Sequence, residues 1–118
     1  MVYCASTASL AVLELLVHLD VDELPSDLRL VEARIPDDVS REVLNVATLP
    51  VGWRRSPAPD ALKALGSRWA TELRSALLDV PSAVIPSERC LLVNPGHPES
   101  RRLLIQPAVP FALEPRLR

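Results

Sequence analysis

Apolar residues recur along this chain at two spacings, separated by prolines. A short β-prone stretch, "VYCA" (Val2–Ala5), leads into "STASLAVLELLVHLD" (Ser6–Asp20), where apolar positions dominate. Helical spacing collects Thr7, Ala11, Glu14 and His18 on one narrow stripe, and Leu10, Val12, Leu13, Leu15, Leu16, Val17 and Leu19 cover the rest. The pattern predicts a helix buried on most of its circumference, with one slot open to water or a ligand. Ser6 or Thr7 is placed to cap it. The strand before it begins beside Met1, so it reads as an edge strand or as one lacking an upstream neighbour.

"LRLVEARIP" (Leu28–Pro36) sets Glu32 and Arg34 in alternation with Val31, Ala33 and Ile35, the pattern of a half-exposed strand stopped by Pro36. "DDVSREVL" predicts a short helical turn, and "LPVGWRRSPAP" a loop full of breakers with Trp53 as its anchor. In "APDALKALGSRWATELRSALLDVP", Leu62, Leu65, Trp69, Leu73, Ala76 and Leu77 repeat at helical spacing. That predicts a second helix, capped by Asp60, divided or bent at Gly66, and ended before Pro81. "SAVI" (Ser82–Ile85), "RCLLV" (Arg89–Val93), "RRLLIQ" (Arg101–Gln106) and "FALE" (Phe111–Glu114) read as strands. Two main helices among mostly antiparallel strands make an α+β order.

Composition narrows the possibilities. A chain of 118 residues makes one domain with a real core. Twelve prolines, against a usual share of about 5%, are dispersed between elements and mark boundaries. A formal net charge of −2 with a single lysine, Lys63, argues against direct nucleic-acid binding. Cys4 and Cys90 are isolated thiols without metal or disulfide spacing, which suggests a reducing compartment. No basic region precedes the first apolar run, and that run is far shorter than the roughly 20 residues that span a bilayer. The expectation is a cytoplasmic protein with no membrane association.

Three features bear chemistry. Glu14 is a carboxylate on an apolar helix, with small residues Thr7 and Ala11 beside it. Facing a cleft, it can stabilise a cationic sugar carbon; otherwise the stripe is the wet side of an amphipathic helix. Ser82, in "VPSAVIP", is bracketed by Pro81 and Pro86 at a rigid corner. No GxSxG elbow surrounds it, so it is a ligand contact or a turn serine and not a hydrolase-type nucleophile. "NPGHP" (Asn94–Pro98) is a tight turn that presents His97. His18, His97, Cys4 and Cys90 match no metal-ligand pattern, and no glycine-rich phosphate loop is present.

The succession "VYCASTASLAVLELLVHL", "LPVGW", "LGSRW", "LLDVPSAVIPSE", "LLVNPGHP" and "FALEPRL" resembles the RES domain family over the whole chain, residues 1–118 as a single domain. RES proteins are bacterial toxins named for an arginine, a glutamate and a serine. The resemblance implies a compact fold akin to ADP-ribosyltransferases and NAD+ bound as substrate, with no metal. It also implies a toxin of a type II toxin–antitoxin system, held inactive by an Xre-type helix-turn-helix antitoxin. Such a toxin cleaves the nicotinamide–ribose bond by hydrolysis or phosphorolysis, or ADP-ribosylates a host enzyme. Carried over by position, the catalytic residues are Glu14, Ser82 and Tyr3, and the NAD+-binding residues are Tyr3, Ser6, Asn94 and His97. The family's arginine segment, which precedes the tyrosine strand, has no counterpart here. A catalytically inactive remnant that binds only its antitoxin or another chain is therefore the alternative, with homo-oligomerisation a possible outcome.

Overall fold

A computed structural model of the chain describes residues 1–19 and 25–117. Asp20, the expected end of the first helix, lies outside the described residues, as does Arg118 at the end of the domain. The elements run β1 (Val2–Ala5), α1 (Ala8–Leu16), β2 (Arg29–Leu30), β3 (Ala33–Arg34), β4 (Arg41–Val43), α2 (Asp60–Thr71), β5 (Leu77–Pro81), β6 (Arg89–Val93), β7 (Leu104–Ile105) and β8 (Val109–Pro110). Short 3₁₀ turns fall at Val46–Thr48, Pro98–Arg102 and Pro115–Leu117. Among the described residues this is an α+β fold of two α-helices and mostly antiparallel strands.

The main sheet has the order β1-β6-β5-β4. β1 and β5 both run antiparallel to β6, whereas β4 lies parallel to β5. A parallel pair needs a long crossover, and α2 with its flanking loop supplies it. Register sorts the side chains onto two faces. Tyr3 opposes Leu92, Ala5 opposes Cys90, and Leu78 and Val80 oppose Leu92 and Cys90 in turn. The neighbouring positions, Leu77 and Val93, fall on the other face. There Leu77 joins Val39 and Ala76 in a buried cluster, with Ile35, Val93 and Leu103 packed against it.

Several expectations are corrected. Helix α1 buries only Leu10 completely, while Leu13 is 37% and Val17 58% exposed. The helix packs beside edge strand β1, and most of its remaining apolar residues are half-buried. The strand expected over Leu28–Pro36 is two short pieces, because β2 pairs with β8 and β3 with β7. The turn expected over "DDVSREVL" is confined to residues 37–39, and Arg41–Val43 forms parallel strand β4, since β5 offers it an edge to pair with. α2 starts after Pro59 with Asp60 inside its first turn, and it continues straight through Gly66.

α2 also ends at Thr71, although apolar residues continue at helical spacing to Leu77. Leu73 turns into the left-handed region at φ 52°, and Leu77–Pro81 leaves the helix to pair with two strands. Ser82–Ile85 is a loop and not a strand, and the last two strands are shorter and shifted relative to expectation.

Candidate active site

The Glu14 side chain is positioned from the N-terminal end of α1. Thr7 caps the helix, its Oγ1 accepting the Leu10 N–H at 3.1 Å, and buried Leu10 anchors the first turn. One turn further on, Glu14 reaches the sheet face that carries Cys90.

Ser82 arrives from the opposite direction. β5 ends at Pro81, and the Ser82 N–H donates to Glu88 O at 2.9 Å, closing the β5–β6 connection. The following loop folds back over the serine, so that the N–H groups of Val84 and Ile85 donate to Ser82 Oγ at 3.1 and 3.0 Å. With both acceptor positions filled, the hydroxyl hydrogen is free to donate, and it meets Glu14 Oε1 at 2.6 Å. Ser82 is fully buried, at 0% exposure. The corner serine and the helix glutamate, far apart in sequence, form one unit.

Two more side chains join it. The Cys90 thiol donates to the same Glu14 Oε1 at 3.6 Å. Burial first, and then the Cys90 thiol and the Glu14 carboxylate beside it, push the Tyr3 phenol far above its ordinary range. Tyr3 therefore stays protonated throughout the physiological range. Its side chain nonetheless remains 49% exposed, which leaves ring surface for a ligand. Burial likewise raises the Cys90 thiol, with the Glu14 carboxylate adding to the effect against a lowering contribution from Tyr3.

Tyr3 borders two hollows. One is an apolar cleft of about 170 Å³ between α2 and the sheet, where Trp53, Leu62, Leu65, Leu78 and Leu92 are among the walls. The other is a groove of about 680 Å³ that takes in Ser6, Thr7 and Ala11 at the β1–α1 turn and crosses to the Arg29–Ala33 segment. Arg54 secures the rim of the cleft, its Nε donating to Ala83 O at 2.8 Å on the serine loop.

The residues expected to form the site thus divide. Glu14, Ser82 and Tyr3 come together, and Ser6 lines the groove next to Tyr3. Asn94 and His97 do not join them, because both follow the far end of β6 and have backbone partners. Asn94 Nδ2 donates to Ala70 O at the end of α2, its Oδ1 accepts the Gly96 N–H, and His97 Nδ1 accepts the Glu99 N–H. They shape the turn that follows β6. Sequence reasoning missed Cys90 and Arg54 as neighbours of the site. The alternation of β6 places Cys90 on the same face as Leu92, and strand pairing would have brought it beside Tyr3. Nothing in the sequence marks Arg54. Among the described residues, no cluster of histidine, cysteine or acidic side chains is arranged to hold a metal.

Comparison with known proteins identifies the lineage. The RES domain model matches residues 1–114. The chain is a member of the RES domain family. A relative from Sphingobium sp. (strain YBL2), named "Prs ADP-ribosylating toxin", is 42% identical over 118 residues, spanning 98% of this chain and 73% of its own length. Proteins named "Toxin Res" from Pseudomonas putida and Yersinia enterocolitica are 39% and 37% identical, covering 89% and 99% of this chain and 71% and 77% of theirs. Within this RES chain, no helix among the described residues is long and apolar enough to cross a membrane.

Proposed function

We propose that this RES-domain protein is a toxin that takes NAD+ as its substrate and breaks the bond between nicotinamide and ribose. The observation that carries the reading is the 2.6 Å bond between Ser82 and Glu14 beside the ring of Tyr3. As nicotinamide leaves, positive charge develops on the ribose, and a fixed carboxylate in a partly desolvated site stabilises that charge better than one in water. Ser82 holds the carboxylate in place without consuming its charge, and Tyr3 offers an aromatic face to the pyridine ring.

The hollows support this division of the ligand. At about 170 Å³ the apolar cleft is too small for a whole ligand, since such sites occupy about 300–1,000 Å³, but it suits a single planar ring. The groove of about 680 Å³, which begins at Tyr3 and Ser6, lies within that range and suits the remainder.

Transfer of ADP-ribose to a protein is a second reading, favoured by the name of the Sphingobium relative. In both readings an Xre-type antitoxin is the expected partner that holds the toxin in check. Incubation with NAD+ labelled in the adenylate, followed by chromatography and gel electrophoresis, tests them together. Label in free ADP-ribose supports hydrolysis, label in ADP-ribose phosphate supports phosphorolysis, and label on a protein band supports transfer. NAD+ left intact with every acceptor supplied would overturn the proposal.

A further inference from the structure

We infer that Cys90 is a positioning residue for Glu14, its thiol fixing the carboxylate through the same oxygen that Ser82 holds. The inference rests on the NAD+-cleaving reading and deepens it.

The geometry starts with strand β6. Cys90 sits in its interior, paired with Ala5 on one side and Val80 on the other, and has 0% exposure. Its neighbours across both strand pairs are the small or branched apolar residues Ala5 and Val80, so packing alone asks only for a small apolar side chain. A thiol adds one thing that a valine lacks, an S–H donor, and that donor points at Glu14 Oε1 over 3.6 Å. Burial keeps the thiol protonated near neutral pH, so its hydrogen is available to donate.

The need for a second donor follows from how Glu14 is carried. Within α1 only Leu10 is fully buried, and Glu14 lies one turn beyond that anchor. A carboxylate on a three-bond side chain rotates freely about its last torsion, and one donor leaves that rotation partly open. Ser82 approaches from the loop after β5, and Cys90 from within β6. Two donors of separate origin on one oxygen fix the plane of the carboxylate against the centre of the sheet. Neither bond uses Oε2. Tyr3, which also adjoins the thiol, is thereby tied into the same unit.

Two measurements test this. The first does not depend on activity: the S–H stretching band of Cys90, assigned as the band lost in Cys90→Ser, with the Cys4 band as internal reference. A bond to a carboxylate places the Cys90 band below that of a free thiol, and Glu14→Gln moves it up. A band that ignores Glu14→Gln overturns the inference. The second is nicotinamide release. Cys90→Val, which stays apolar but removes the donor, is expected to lower kcat about tenfold with KM within about twofold, and Cys90→Ser to recover a large part of the loss. A Cys90→Val enzyme as fast as the parent, with an equal melting temperature, shows that the side chain only packs and overturns the inference. Should Cys90→Val fail to fold, Cys90→Ala takes its place, and a serine variant no faster than the alanine variant overturns the proposal. If the parent protein releases no nicotinamide, the NAD+-cleaving reading fails by itself, and the infrared band alone decides whether Cys90 holds Glu14.

Discussion

At the scale of single residues, the site depends on a hydroxyl with all its bonding capacity in use. Ser82→Ala removes the acceptor for two loop N–H groups and the donor to Glu14 at once. The expected cost is about 1–3 kcal/mol of stability in urea denaturation, accompanied by a fall in turnover. Tyr3 makes a contrasting case, since its ring and not its ionisation is what a ligand meets. Because the phenol is raised well above its ordinary range, no alkaline loss of activity arises from it up to about pH 10. Tyr3→Phe should retain activity within a few-fold, while Tyr3→Ala raises KM about tenfold, as steady-state kinetics will show. Glu14 and Ser82 were legible in the sequence because charge inside an apolar run and a serine between prolines are local anomalies. Cys90 was not, because a cysteine in a strand looks like any small apolar residue until its partner across the fold is known.

At the scale of elements, α2 is the wall of the apolar cleft, and Gly66 is its adjustable point. A Cβ at Gly66 would meet nothing within 4 Å, and this glycine lies in the interior of a regular helix. Gly66→Ala should therefore stabilise the protein by up to about 1 kcal/mol, seen as a higher midpoint of thermal or urea unfolding. Gly66→Leu should instead fill the cleft and raise KM with little change in stability. The end of α2 depends on a relay in which buried Trp69 donates through Nε1 to Ser75 Oγ at 2.8 Å, and that hydroxyl donates to Leu77 O at 2.6 Å. Helical spacing alone ran through this point, because Leu73, Ala76 and Leu77 keep the period. The helix stops because pairing of β5 with both β4 and β6 outweighs continued helix, and Asn94 holds the last turn through Ala70 O. Non-local pairing of that kind leaves no mark in local spacing. For the same reason parallel strand β4 was read as a turn, whereas Val2–Ala5 and Arg89–Val93 carried their own β-prone pattern and were legible.

At the scale of the whole molecule, surface charge pairs tie the C-terminal third to the middle of the chain. Arg102 holds the Asp38 carboxyl below its ordinary range, and a hydrogen bond from Ser40 does the same for Glu99. A carboxyl lowered in the folded state stabilises it fully above the unfolded value, and the contribution fades as pH falls through the lowered one. Melting temperature should thus be level near neutrality and decline only below about pH 4, with Arg102→Ala flattening the decline. Asp38 is exposed and Glu99 only half-buried, so the change will be small and will weaken with salt. The fold as a whole brings the helix that carries Glu14 and the loop between β5 and β6 together at one carboxylate. Nicotinamide release from NAD+ by the parent protein and by Glu14→Gln, compared at equal melting temperature, tests the role of that carboxylate most directly. The account predicts a rate about a hundredfold or more lower for the glutamine variant, which keeps the bond to Ser82 but loses the charge. Equal release by the two proteins would contradict it.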